Sequence, residues 1–189
     1  MSAGPWTERR GYLWIALVVV ALDQATKIAA HEWLRPAGSF PVVRGLFDLT
    51  YSRNRGGLFG YFSDLADPWR VVLLTGLPVL AILLLGRFLV HGQDLSRAAR
   101  VGLAAVLGGA IGNLIDRVIR GEVVDFLDVY ATAPSVADWL VRQFGTSHWP
   151  TFNVADSAIV IGAGLLLVDV VRPRGAVAAQ TTEPAEPRG

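Results

Sequence analysis

Runs of apolar residues broken by short charged clusters dominate the chain. Four of the runs, at residues 12–30, 70–90, 98–119 and 155–171, are long enough to cross a hydrocarbon core as helices, which takes about 20 residues each. Between the first two, residues 39–51 (SFPVVRGLFDLTY) are rich in β-branched and aromatic types and read as two short strands joined at Arg44-Gly45. Between the last two, Val123-Val124-Asp125-Phe126 precedes an amphipathic stretch, residues 135–144. Its Val136, Trp139, Leu140 and Phe144 suit the bilayer surface. The pattern predicts a membrane all-α fold: a four-transmembrane-helix bundle with a small sheet and a short interfacial helix. The membrane-embedded domain covers residues 1–172, and the Ala-, Pro-, Thr- and Glu-rich residues 173–189 form a disordered cytoplasmic tail.

The first run follows Arg9 and Arg10 but exceeds a signal-peptide core, and Asp23-Gln24 stands where a small-residue cleavage site would form. It is therefore read as a span. Four spans put both termini on one side. The loop between the first two spans holds Arg35, Arg44, Arg53 and Arg55; the other side has Arg9, Arg10, Arg87, Arg97, Arg100, Arg172 and Arg174, concentrated in short segments. That density places both termini in the cytoplasm.

Composition narrows the chemistry. Charged residues make up 17% of the chain, below the roughly 25% of a soluble domain. The net charge of +1 excludes a basic nucleic-acid binder. With no cysteine, the chain has no disulfide, no thiolate nucleophile and no residue to carry a lipoprotein's lipid. His31, His91 and His148 are scattered without ligand spacing, so neither a metal nor another cofactor is expected. No internal repeat is visible.

Ionisable side chains inside a span cost several kcal/mol unless paired or hydrated. Asp23 and Lys27 are spaced i, i+4, the favourable order for an ion pair, and a purely structural pair accounts for them. In the third span, Gly108 and Gly112 offer a close-approach face. Asn113, Asp116 and Arg117 follow on one side, a binding floor in which Asp116 beside Arg117 reads as a salt-bridged brace. Asn153 is a natural N-cap for the fourth span, which puts Asp156 at N3. Cap and catalyst then explain Asp156 equally well. Asp125 shifts the balance, because its surroundings are too apolar for a casual surface charge. Two carboxylates held close share one proton, so one can serve as general base on a water while the other acts as acid. Asn54-Arg55-Gly56-Gly57-Leu58-Phe59-Gly60 adds a glycine-rich loop near the second span.

In this order the segments resemble the lipoprotein signal peptidases (signal peptidase II). The resemblance is carried by Asp23-Gln24…Lys27, Asn54…Gly56…Phe59-Gly60, Gly112-Asn113…Asp116-Arg117, Val123-Val124-Asp125-Phe126 and Phe152-Asn153…Ala155-Asp156-Ser157. It implies an aspartic endopeptidase of the bacterial inner membrane that cuts prolipoproteins before a diacylglyceryl-modified cysteine. Its dyad would be Asp125 and Asp156. Asn54, Asn113, Arg117 and Asn153 would hold the substrate backbone, with Asp23, Lys27, Asp116 and Gly56 in support. The strands would form an extracytoplasmic β-sheet cradle beside an active site near that face. The implied partners are the diacylglyceryl-prolipoprotein substrate and membrane lipids, with the enzyme a monomer. Leu58 stands where the family more often has a small residue, and residues 130–150 are longer than its usual connection. The competing readings are a proton-coupled transporter with Asp23, Asp116 and Asp156 as relay, and an assembly factor that leaves Asp125 and Asp156 without a role.

Overall fold

The computed structural model of the protein describes residues 5–56, 66–93 and 95–171. The expectations for Gly57, Leu58, Phe59 and Gly60 and for the tail at residues 173–189 lie outside the described residues. Helix α1 runs Pro5–Ala29 and continues through a wider turn, Ala30–Leu34, to Arg35–Ala37. Helix α2 is built the same way, from Asp67–Val71 through Val72–Gly76 to Leu77–His91. The two wide turns have one cause. Pro36 and Pro78 follow them by two residues, and a proline inside a helix removes a donor and crowds the preceding turn. The helix relaxes by five-residue bonding just upstream: Arg35 N–H reaches Ala30 O, and Leu77 N–H reaches Val72 O.

Helix α3 spans Arg97–Arg120, capped by Ser96, whose Oγ accepts from Ala99 N at 3.0 Å. It stops at Gly121, whose φ of +75° is a left-handed C-cap. Helix α4 is Pro134–Phe144, confirming a helix where residues 135–144 read as amphipathic. Helix α5 is Val154–Val171. Four helices are thus long and apolar enough to cross a membrane: Arg10–Ala37, Pro68–His91, Arg97–Arg120 and Val154–Val171. Leu83 at 65% and Val170 at 78% exposure show apolar side chains turned outward, as a lipid surrounding favours.

Two expectations are corrected. The first helix does not end at Ala30. His31, Glu32 and Arg35 end the apolar run without ending hydrogen bonding, and His31 Nδ1 meets the Tyr51 hydroxyl at 2.9 Å, tying the extension to the sheet. The sheet has three strands where two were expected: β1 Phe40–Val43, β2 Phe47–Asn54 and β3 Val123–Val129, antiparallel in that order. Between β1 and β2 the chain turns at Gly45, with φ of +82°. The added strand carries Asp125.

Helix α3 is the packing axis, and glycines make it so. A Cβ on Gly108 would stand 2.7 Å from Ala16 O of α1, and one on Gly102 would stand 2.7 Å from Gly162 O of α5. Two apolar clusters form above and below a polar layer. One gathers Ala16, Leu89, Leu103, Ala104 and Leu107, and the other Ala30, Val124 and Phe126. Along α1, Ala16, Asp23 and Ala30 recur every seven residues, so the same face passes from apolar through charged to apolar.

Gly108→Ala is expected to destabilise the protein by about 1–3 kcal/mol, because the methyl meets backbone that cannot yield. Gly164→Ala, with nothing within 4 Å of the new methyl, should be neutral or slightly stabilising. Thermal unfolding of the two variants in the same detergent measures the difference.

Candidate active site

The polar layer starts at Lys27, which is fully buried. Its ammonium has three donors and three acceptors around it: Asp23 Oδ2 at 2.9 Å, Asp116 Oδ2 at 3.1 Å and Asn113 Oδ1 at 2.9 Å. Each acid is in turn bound elsewhere. Asp23 Oδ1 accepts from Ala155 N at 3.0 Å. Asp116 Oδ2 accepts from Val124 N at 3.1 Å, and its Oδ1 pairs with Arg120. Gln24 closes the group, donating to Asp23 Oδ2 and to Gly112 O, both at 3.1 Å. Two acids and two bases therefore join α1, α3, β3 and α5 in one cluster, the condition under which buried charge is tolerated.

Asn113 carries this cluster to the acids. Its Oδ1 faces Lys27, so its amino end points the other way and donates to Asp156 Oδ1 at 2.8 Å. Asn153 does the same for Asp125. Its Oδ1 accepts from Asp156 N at 2.9 Å while Asn153 N donates to Asp156 Oδ2 at 3.2 Å, a reciprocal capping box at the start of α5. Its amino end then donates to Asp125 Oδ1 at 2.7 Å. Asn54 Nδ2 donates to Asp125 Oδ2 at 3.0 Å, and Gly56 N holds Asn54 Oδ1 at 3.1 Å.

Strand β3 explains how Asp125 reaches this point. Val124 and Phe126 face the core beside Ala30, while Val123 and Asp125 line the cavity, the alternation of a strand. The register with β2 shifts between Leu49 and Ser52, opposite Asp125, and such irregularities re-aim side chains near functional sites. The cavity is about 930 Å³ and is lined by Asn54, Asn113, Arg117, Asp125 and Asp156 on its polar side. Pro78, Ile159 and Val160 form part of its apolar side. Residues 148–152 return along β3, with Trp149 N donating to Val129 O at 2.8 Å and Phe152 N to Leu127 O at 3.1 Å. This places the long connection: Trp149, Pro150, Thr151 and Phe152 are cavity wall.

Burial pushes the Asp125 carboxyl up to about 7, the neighbouring Asp156 carboxylate pushes in the same direction, and the Asn54 and Asn153 amides oppose both.

The acids expected to meet therefore share one cavity. Asn113, Asp116 and Arg117 do not act as one floor: Asn113 and Arg117 line the cavity, while Asp116 turns to Lys27. Its ion-paired neighbours are Lys27 and Arg120, not the adjacent Arg117. Asn153 is fully buried beneath the acids rather than on the cavity wall. Gln24 and Arg120 were missed. Arg120 stands i+4 from Asp116, a signal present in the sequence; Gln24 lay inside a quoted motif without a role. Glu122, buried and paired with Arg53 and with Arg55 (3.3 Å), gave no signal because the pairing depends on strand register.

A proton relay through Asp23 and Asp116 finds no support in this arrangement. Both are enclosed in the ion cluster and neither lines the cavity.

The chain is similar to known proteins over most of its length. The chain is 40% identical over 160 residues to the lipoprotein signal peptidase of Solibacter usitatus (strain Ellin6076), covering 85% of this chain and 90% of that protein. It is 43% identical over 160 residues to the lipoprotein signal peptidase of Geobacter metallireducens (strain ATCC 53774 / DSM 7210 / GS-15), covering 84% and 88%. A bacterial membrane enzyme solved at 2.3 Å by the in meso method superposes with a TM-score of 0.69 at 25% identity, over 93% of this chain and 94% of the other. A second, solved at 1.9 Å, gives 0.68 at 27% identity, over 86% and 94%. The signal peptidase II family model matches residues 15–172, a stretch that takes in the ion cluster, the three asparagines and both cavity aspartates, and the chain belongs to that family.

Proposed function

We propose that the protein is an aspartic endopeptidase of the bacterial inner membrane. It removes the signal peptide from diacylglyceryl-modified prolipoproteins, cutting before the lipidated cysteine. The observation that carries this reading is the pair Asp125 and Asp156 on one cavity, linked through Asn153, which donates to both carboxylates. The names of the similar proteins support the substrate class.

In this mechanism the acids divide the work by environment. Asp125, driven up by burial, holds the proton. Asp156, at the N3 position of α5 with two donors on its oxygens, carries the charge. Asp156 takes a proton from water as its oxygen adds to the scissile carbonyl carbon, and Asp125 gives its proton to the carbonyl oxygen. The tetrahedral species collapses as the C–N bond breaks and the proton on Asp156 passes to the leaving amine. The oxygen proton returns to Asp125, which restores the starting state. Asn54, Asn113 and Arg117 supply donors to the substrate backbone around the cavity. Asn153 is assigned instead to spacing the two acids, since it is fully buried and off the cavity wall while it donates to both. Asp23, Lys27, Asp116 and Gly56 hold these groups in place.

The apolar side of the same cavity, formed by Pro78, Ile159 and Val160, suits the acyl chains of the substrate. Both termini lie in the cytoplasm, with the sheet and active site at the extracytoplasmic face, where α4 rests on the bilayer surface and the sheet cradles the substrate. The enzyme acts as a monomer among membrane lipids.

Asp125→Asn and Asp156→Asn should each lower cleavage of a diacylglyceryl-modified prolipoprotein by about 10²–10⁴-fold while leaving the unfolding temperature in detergent close to that of the parent. A gel-shift assay on lipidated precursor reads this. Full activity in either variant would falsify the dyad.

The pH dependence has a defined sign. Asp125 must be protonated to act as the acid, so kcat/KM should fall as pH rises through about 7 and decline about tenfold per unit beyond it. Because Asp125 binds its proton more tightly folded than unfolded, its contribution to stability is present at low pH and is lost as pH rises through the same value. A flat kcat/KM between pH 6 and pH 9 would move the proton to another group.

A further inference from the structure

Arg53 and Arg55, both paired with the buried Glu122, stand apart from the acid pair yet line the same cavity. Helix α3 has 24 residues, about 36 Å of helix, against a hydrocarbon core of about 30 Å. Its last turn therefore emerges at headgroup depth, and Glu122 follows two residues after it. The sheet register fixes the arginines at this level. Arg53 pairs with Val124 and Asn54 with Val123, so the end of β2 lies beside the start of β3, next to the membrane.

Among the described residues the charges do not balance. Glu122 is buried at 5% exposure, while Arg53 and Arg55 are 57% and 69% exposed. One carboxylate serves two guanidiniums, which leaves a positive charge on the open side. Arg117 adds a third guanidinium to the cavity, and its acids, Asp125 and Asp156, share a proton in the proposed mechanism. A paired guanidinium fork at headgroup depth matches phosphate oxygens in geometry and charge. The apolar residues Pro78, Ile159 and Val160 on the same cavity give adjacent acyl chains a surface.

We propose that Arg53 and Arg55, tied to the buried Glu122 at the membrane-proximal end of the sheet, bind the phosphodiester of an anionic phospholipid at the mouth of the cavity. Glu122 is the positioning residue, since it is buried off the cavity wall and ion-paired with both arginines. The inference rests on the four spans and the sheet register rather than on peptidase chemistry, so it is read from binding without activity.

The test uses the full chain in neutral detergent with equal dioleoylphosphatidylglycerol and dioleoylphosphatidylcholine, and native mass spectrometry to count the retained lipid. The parent should retain the anionic lipid in about fivefold preference, the effect of one net charge near a lipid surface. In R53Q/R55Q the preference should fall to about one. Because that variant strands a buried carboxylate, R53Q/R55Q/E122Q is measured beside it and should show the same loss with an unfolding temperature nearer the parent's. R142Q, which removes from α4 the same net charge that the triple variant removes from the cavity mouth, should keep the preference. Selectivity that survives in both cavity variants, or an equal loss in R142Q, overturns the site. Displacement of the lipid by inorganic phosphate at matching concentration overturns it as a lipid site and assigns it to free phosphate.

Discussion

An ammonium with no water in reach must be surrounded by acceptors, and Lys27 meets that requirement in a way that orders everything above it. Its three partners are two carboxylates and one amide carbonyl. The carbonyl matters most, because an asparagine has one accepting end and one donating end. With Lys27 fixing the Oδ1 end of Asn113, the Nδ2 end has to face Asp156. Reversed, that amide would set a lone pair against a carboxylate and leave the ammonium short of an acceptor. The orientation of a group in the cavity is thus decided by a charge buried outside it, and the cost of that charge is offset only because Asp23 and Asp116 are themselves fully bonded.

The same logic extends to the backbone. Ala155 N, in the first turn of α5, has no acceptor within its own helix and takes one from Asp23, and Val124 N and Gly112 O are likewise bonded by side chains of the cluster. The two catalytic candidates sit immediately next to two of these anchors, Asp125 after Val124 and Asp156 after Ala155. Positioning through the neighbouring peptide leaves the carboxyl groups themselves open to the cavity. Strand alternation then separates roles at one-residue resolution, since a slip of one place in β3 would turn Asp125 into the apolar core and Val124 toward the cavity.

Much of this was legible as spacing. Runs of apolar residues located the four spans, and the three-residue interval from Asn153 to Asp156 identified the cap. What escaped had to do with partners rather than intervals. Val123–Val129 is buried at its start on both sides, so it lacks the alternation that marks a strand before its neighbours are known. The end of α1 was placed early because polarity was taken for a helix stop, whereas Gly38, with φ of +84°, supplies the stop. Asn153 reads as an N-cap in sequence, and the approach of α3 and β3 buries it. Asp116 sits next to one arginine in sequence and pairs with another one turn on, which helical geometry favours over adjacency.

Cap and catalyst are competing accounts of Asp156 in the sequence, and the geometry leaves one carboxylate free to serve as both. In the capping box Asp156 Oδ2 accepts from Asn153 N, and this locks the rotamer of the carboxylate at the first turn of α5. Its Oδ1 is left to Asn113 and the cavity. The positive end of the helix favours a charged carboxylate there. Asp125, on a strand with no helix dipole and shut among apolar neighbours, favours the proton instead. In the proposed mechanism the two secondary structures set which carboxyl holds the proton, and no third group is needed to tell acid from base.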